Sequence, residues 1–192
     1  MVLEENYLDS IKKQFRYYKQ LGEQAIDQLP PDQFFTTFNP DSNSIAVIVK
    51  HLSGNMLSRW TDFLKADGEK PWRNRDQEFE VAGTDKEEVL QQWHTGWECL
   101  LTTLQALQPA DLMKIIYIRN EGHTVMEAIN RQLAHYSYHV GQIIYAAKIL
   151  KQAPWNSLSI PRNKSGDYNE VKFSQEKRRT HFTDSELKTD SD

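Results

Sequence analysis

His135 and His139, four residues apart in the stretch 131–142 (RQLAHYSYHVGQ), are the pair best placed to do chemistry. On a helix that spacing sets two imidazoles one turn apart on one face, close enough to share a metal ion. Six histidines scattered at random over the 192 residues would give about 0.2 such pairs. The pair therefore points to a metal, although packing or hydrogen-bonded histidines would satisfy the spacing equally well.

Two imidazoles are half a site, and the third ligand must come from another helix. His51 is the candidate, in the apolar run 45–52 (IAVIVKHL). Ile48 before it and Leu52 beside it turn it inward, and a buried imidazole needs a hydrogen bond or a metal. His94 lies one step off an apolar stripe, His123 precedes a helix cap and His181 sits in a polar tail, so all three read as surface residues. Three protein ligands leave a coordination position free for water or substrate, which is the layout of a catalytic site. A structural zinc site favours four ligands with cysteine among them, and Cys99 is the single cysteine. Imidazole donors suit zinc, nickel, copper or iron, zinc and nickel foremost.

Four helical segments must position these residues. The first spans about residues 2–29, its face marked by Leu8, Ile11, Phe15, Tyr18, Ala25 and Leu29, and Pro30-Pro31 ends it. The second starts at a cap between Ser42 and Ser44, carries His51 and runs to about Ala66, before the stop at Asp67-Gly68. A polar, irregular loop follows, containing Arg73 and Arg75, which could reach an anionic cofactor or simply be solvated. The third opens on a capping box from Thr84 to Glu87 and buries Val89, Leu90, Trp93, Trp97, Leu100, Leu101, Leu104 and Leu107. The run 113–119 (MKIIYIR) reads as extended and 120–122 as a turn. A second capping box, Thr124 to Glu127, starts the fourth helix, which carries His135 and His139 to about Lys151. Gly141 inside it suggests a close helix approach, since an idle glycine costs about 1 kcal/mol there. The expected fold is all-α, a four-helix bundle with long loops over residues 1–170, followed by a polar tail over 171–192.

Composition narrows the partners. Charged residues make up 26% and hydrophobic residues 39%, an ordinary globular balance. A net charge of -4 with no basic cluster argues against nucleic acid. No apolar run approaches the roughly 20 residues that span a bilayer, and the acidic N-terminus is unlike a signal peptide, so the expected compartment is cytoplasmic. Cys99 reads as a small core residue. Phe15, Tyr17, Tyr18, Trp93 and Trp97 read as core or dimer contacts.

His51 on the second helix with His135 and His139 on the fourth resembles the DinB-like (YfiT-like) metalloenzyme superfamily. The stretches 68–76 (GEKPWRNRD), 131–142 and 155–161 (WNSLSIP) resemble an uncharacterised branch found largely in bacilli, over about residues 2–170. The resemblance implies up-down-down-up helix order, a three-histidine metal site at one end of the bundle, and homodimers. It also implies metal-dependent thiol-S-transferase chemistry, in which a low-molecular-weight thiol is joined to a small-molecule electrophile. Two alternatives stay open. One is a metal-dependent hydrolase of amide or ester bonds, for which Asn55 and Arg59 are poor bases and Glu98 is a helix-surface carboxylate. The other is a non-catalytic, stress-related metal-binding dimer.

Overall fold

The computed structural model describes residues 2–151 and 154–187. Among them the chain is mainly helical with one small sheet. The elements are α1 (Leu3–Ile26), α2 (Ile45–Trp60), α3 (Lys86–Ala106), β1 (Ile115–Ile118), β2 (Glu121–Thr124), α4 (Val125–Leu150) and α5 (Ser165–Phe173). Single 3-10 turns occupy Pro31–Phe35, Asp76–Phe79 and Pro109–Asp111.

Local chemistry sets the boundaries. Ser44 caps α2, its hydroxyl accepting the Val47 N–H at 3.3 Å. The helix stops at Trp60, short of Ala66, because Asp62 takes a left-handed conformation (φ 49°). The cap of α3 falls one residue later than expected: Asp85 accepts the Glu88 N–H at 2.7 Å, while the Thr84 hydroxyl donates to the Val81 carbonyl. The second capping box forms as expected, with the Glu127 N–H on Thr124 Oγ1 at 3.1 Å and the Thr124 N–H on Glu127 Oε2 at 2.8 Å.

The extended run is the first arm of an antiparallel hairpin, with Ile116 opposite His123 and Ile118 opposite Glu121. Its turn lies on Arg119 and Asn120, both at positive φ (56° and 63°), as a two-residue hairpin turn requires. The Asp67 carboxylate accepts the backbone N–H of both turn residues at 2.8 Å, which ties the hairpin to the loop after α2. Burial pushes that carboxyl up, but these bonds, one from the Glu69 N–H and the nearby Arg59 charge together hold it below the usual range.

The core lies between the four long helices. α2 packs on α3 and α4, and α1 packs on α4 and α3, around fully buried Phe15, Trp60, Trp93, Trp97 and Tyr136. α2 is the most enclosed: only Lys50, Gly54 and Leu57 in it are more than slightly exposed. Its approach to α3 depends on Gly96, where an added Cβ would stand 3.0 Å from Ser53 Cα. Gly141 makes no comparable contact among the described residues; a Cβ there would meet none of their atoms within 4 Å. The polar segment beyond α5 returns to α1. Phe182 meets Tyr17 edge-on, His181 Nε2 lies 3.0 Å from Ser10 Oγ, Asp184 pairs with Lys13 at 2.9 Å, and Thr183 is buried. No described helix is long and apolar enough to cross a membrane.

Candidate metal centre

The three histidines singled out by spacing and burial come together. His51 from the middle of α2 and His135 and His139 from one face of α4 each offer a ring nitrogen, all within 4.8 Å of one another. The His51 and His135 Nε2 atoms are 3.4 Å apart. This group could hold a metal ion.

The surroundings prepare the rings for that role. The His51 Nδ1 lies 2.9 Å from Glu78 Oε2, so the proton belongs on Nδ1 and the Nε2 lone pair faces the other two histidines. His139 Nδ1 is 2.8 Å from Gln142 Oε1, which by the same reasoning leaves its Nε2 free. Burial lowers the His135 pKa to about 3, assisted by His139, His51 and two arginines. Burial likewise lowers that of His139 to about 4, against the opposing Gln142 bond. Both rings are therefore neutral near pH 7. At 3.4 Å the His51 and His135 Nε2 atoms are in hydrogen-bonding range, a place that a cation shared between two imidazoles would also fill. The donor set thus fits a divalent ion with affinity for imidazole.

Glu78 is the residue that sequence reasoning missed. It lies in the Asp76–Phe79 turn, 8% exposed in its side chain, between His51 and Arg73. Arg73 grips it with two bonds, Nε to Oε1 at 2.7 Å and Nη2 to Oε2 at 3.0 Å. Burial pushes the Glu78 carboxyl up, but the bonds from His51 and Arg73 and the Arg73 charge together hold it below the ordinary carboxylate range. The fit against α2 requires a glycine: a Cβ on Gly54 would stand 2.3 Å from Glu78 Oε1. The only available signal was indirect, namely that a ligating histidine normally donates its second nitrogen to a carboxylate or carbonyl.

A buried hydrogen-bonded chain fixes the two helices beside the histidines. The Trp60 indole N–H donates to Tyr136 Oη at 3.1 Å, and the Tyr136 hydroxyl donates to Asn55 Oδ1 at 2.9 Å. Burial raises the Tyr136 pKa, so the hydroxyl stays a donor. Asn55 and Arg59 do share the His51 face, as helical spacing predicts.

His51 and His135 line an open cavity of about 430 Å³. Its walls carry Arg59, Arg73, Arg75, Arg119 and Arg131, and no Asp or Glu. Arg73 is committed to Glu78, whereas Arg75 is exposed and stacks on Phe79, 5.0 Å from the ring centre. The other sequence candidates lie elsewhere. His94 is exposed beside Glu23, His123 contacts Arg131, and Glu98 is exposed on α3. Cys99 is half-buried against Thr61, and burial pushes its thiol up, away from reactivity.

The family model described as "Protein of unknown function (DUF1572)" matches residues 3–164. The chain belongs to that family. No curated protein matches it. The matched span contains the three histidines, Glu78 and all five arginines of the cavity, and leaves out the segment docked on α1.

Proposed function

We propose that this is a divalent-metal-dependent enzyme, a thiol-S-transferase using a low-molecular-weight thiol as cosubstrate, with His51, His135 and His139 as ligands to zinc or nickel. The observation that carries the reading is the convergence of three histidines, two of which line an open cavity that also carries five arginines. A divalent ion on these imidazoles would supply a Lewis acid that lowers the pKa of a thiol bound beside it. The protein's own residues supply the rest. Glu78 and Gln142 orient two of the rings, the Trp60–Tyr136–Asn55 chain holds α2 against α4, and the guanidiniums favour thiolate over thiol by their charge. In the transfer, the thiol proton leaves to solvent. The thiolate sulfur then forms a bond to the electrophilic carbon, whose leaving group departs with its electron pair.

Hydrolysis of an amide or ester is less well supported, because it needs a general base. No carboxylate lines the cavity, and Glu78 is occupied by His51 and Arg73. A purely structural metal site is less well supported too, since a closed bundle end would suit it and the cavity is open. On this reading the family is a branch of the DinB-like superfamily. Its four long helices form a bundle in up-down-down-up order, and the protein works in the cytoplasm as a homodimer. The ring of helix contacts supports the bundle, and exposed Tyr145 and Ile149 on α4 offer a surface to a second copy.

Elemental mass spectrometry of tag-free protein, beside a His135→Ala, His139→Ala double variant, tests the site. About one ion per chain in the wild type and none in the variant is expected. The loaded protein should then conjugate monochlorobimane to a thiol faster than the metal-free protein does; equal rates would remove metal activation of the thiol.

A further inference from the structure

The arginines around the cavity outnumber what their own carboxylates can use. Glu69 serves three of them, Arg59 at 2.9 Å, Arg119 at 3.1 Å and Arg73 at 3.4 Å, and Glu78 takes Arg73 again. Asp67 faces the backbone of Glu69 and of the hairpin turn. Among the described residues Arg75 has no carboxylate partner, and Arg131 meets His123 at 3.3 Å. This concentration of positive charge sits in a protein whose net charge is -4.

Two further side chains in the wall are buried yet incompletely bonded among the described residues. Arg59, 6% exposed, spends Nη1 on the Gly68 carbonyl and Glu69, while its buried Nε has no partner. Gln132, 4% exposed and one turn before Tyr136, has a buried Oε1 without a partner. Buried polar atoms are nearly always satisfied, so the unused Arg59 N–H marks a place for an acceptor of a bound molecule, whereas the Gln132 oxygen, itself an acceptor, suits a donor elsewhere on that molecule and not its anionic group. Burial lowers the Arg59 pKa, yet a guanidinium with Glu69 beside it remains charged.

We infer that the cavity binds the oxyanion of a small-molecule substrate, a carboxylate or phosphate group. Arg75 and Arg131 are its accessible anchors and Arg59 forms the charged floor. Planar guanidiniums match the two oxygens of such a group, and a lining with five arginines, of which Arg75 and Arg131 are not paired with a carboxylate among the described residues, discriminates against neutral molecules of the same shape. Anchored there, the rest of the molecule lies beside His51 and His135, which share the same cavity. The inference names the substrate class for the proposed enzyme and rests on that reading for its catalytic meaning. The binding itself does not require the ion.

The test uses full-length protein stripped of metal, in low-salt buffer, followed by amide NMR during titration with malonate, inorganic phosphate and neutral malonamide. Malonate or phosphate should shift the amides around residues 131–135 while malonamide leaves them unmoved, and the tighter of the two anions identifies the oxyanion. An Arg75→Gln, Arg131→Gln double variant should bind that anion about tenfold or more weakly, since each exchange removes a charge-assisted hydrogen bond. Both side chains are exposed, and an unchanged spectrum of the free variant will verify its fold. Malonamide binding as tightly as malonate, no shift at the cavity, or equal binding by the variant would overturn the inference. With no ion present, a silent cavity leaves the metal reading intact, and a failed metal analysis leaves the anion result intact.

Discussion

At the residue scale, the site depends on what stands behind the ligands. Glu78 fixes which nitrogen of His51 carries the proton, and Arg73 fixes Glu78. Glu78→Gln keeps the shape but removes the charge that makes His51 a strong donor. It is expected to weaken zinc affinity by about 10–100-fold, measured by competition with a chromophoric chelator, with little change in helix content. An affinity within twofold of wild type would mean that His51 is oriented by packing alone. The three histidines of the candidate site were legible from sequence because helical periodicity and an apolar neighbourhood constrain a histidine within its own helix. Glu78 was not, because the Asp76–Phe79 turn carries no periodic pattern that says which way a side chain points. The sequence offers Arg73 and Arg75 alike as contacts to an anionic cofactor or as solvated loop residues. The Arg73 guanidinium is spent on Glu78, while Arg75 stays exposed and stacks on Phe79.

At the element scale, glycine separates two kinds of helix position. Gly96 sits where α3 presses on the backbone of α2, and Ser53 Cα and its carbonyl oxygen, 3.0 and 3.3 Å from the virtual Cβ, cannot swing aside as a side chain would. Gly96→Ala should therefore destabilise the protein by about 1–3 kcal/mol in urea unfolding. Gly141→Ala meets open space, so it should raise stability by up to about 1 kcal/mol through helix propensity. A marked loss there would instead reveal a second copy of the chain packed on that face of α4. The sequence offers Gly141 as a close approach, to another helix or to a second copy, and does not mark Gly96, where this chain's own close approach lies. A glycine in a periodic pattern announces only that a side chain is missing, not whether a neighbouring helix fills the space. Strong local signals fared better. The Thr124–Glu127 box caps α4 as expected, whereas the α3 cap shifted from Thr84 to Asp85 because adjacent capping residues compete on nearly equal terms.

At the scale of the whole molecule, burying the site links stability to pH. His135 and His139 have folded pKa values of about 3 and about 4 against an ordinary 6.5, so between those values the unfolded chain binds more protons than the native one. Stability of the metal-free protein should thus fall as pH drops from about 6.5 to about 4.5, most cleanly above about pH 5.5, where few carboxylates are yet protonated. Urea midpoints across that window will measure it, and a His135→Leu, His139→Leu variant should show a flatter dependence. A wild-type slope no steeper than the variant's would show that the rings are hydrated in the native state. By itself the sequence determined the helical class, the four long segments, the core aromatics and the three histidines, because each follows from spacing along one helix or from burial of an apolar face. Only the tertiary structure decided that Glu78 and Arg73 stand behind His51, that the hairpin turn brings Arg119 to the same cavity as Arg59 and Arg131, and that an acidic protein concentrates its positive charge over the site. Those partners lie up to 72 residues apart along the chain, and pairing across such distances is set by how loops fold back onto helices, which no local pattern records.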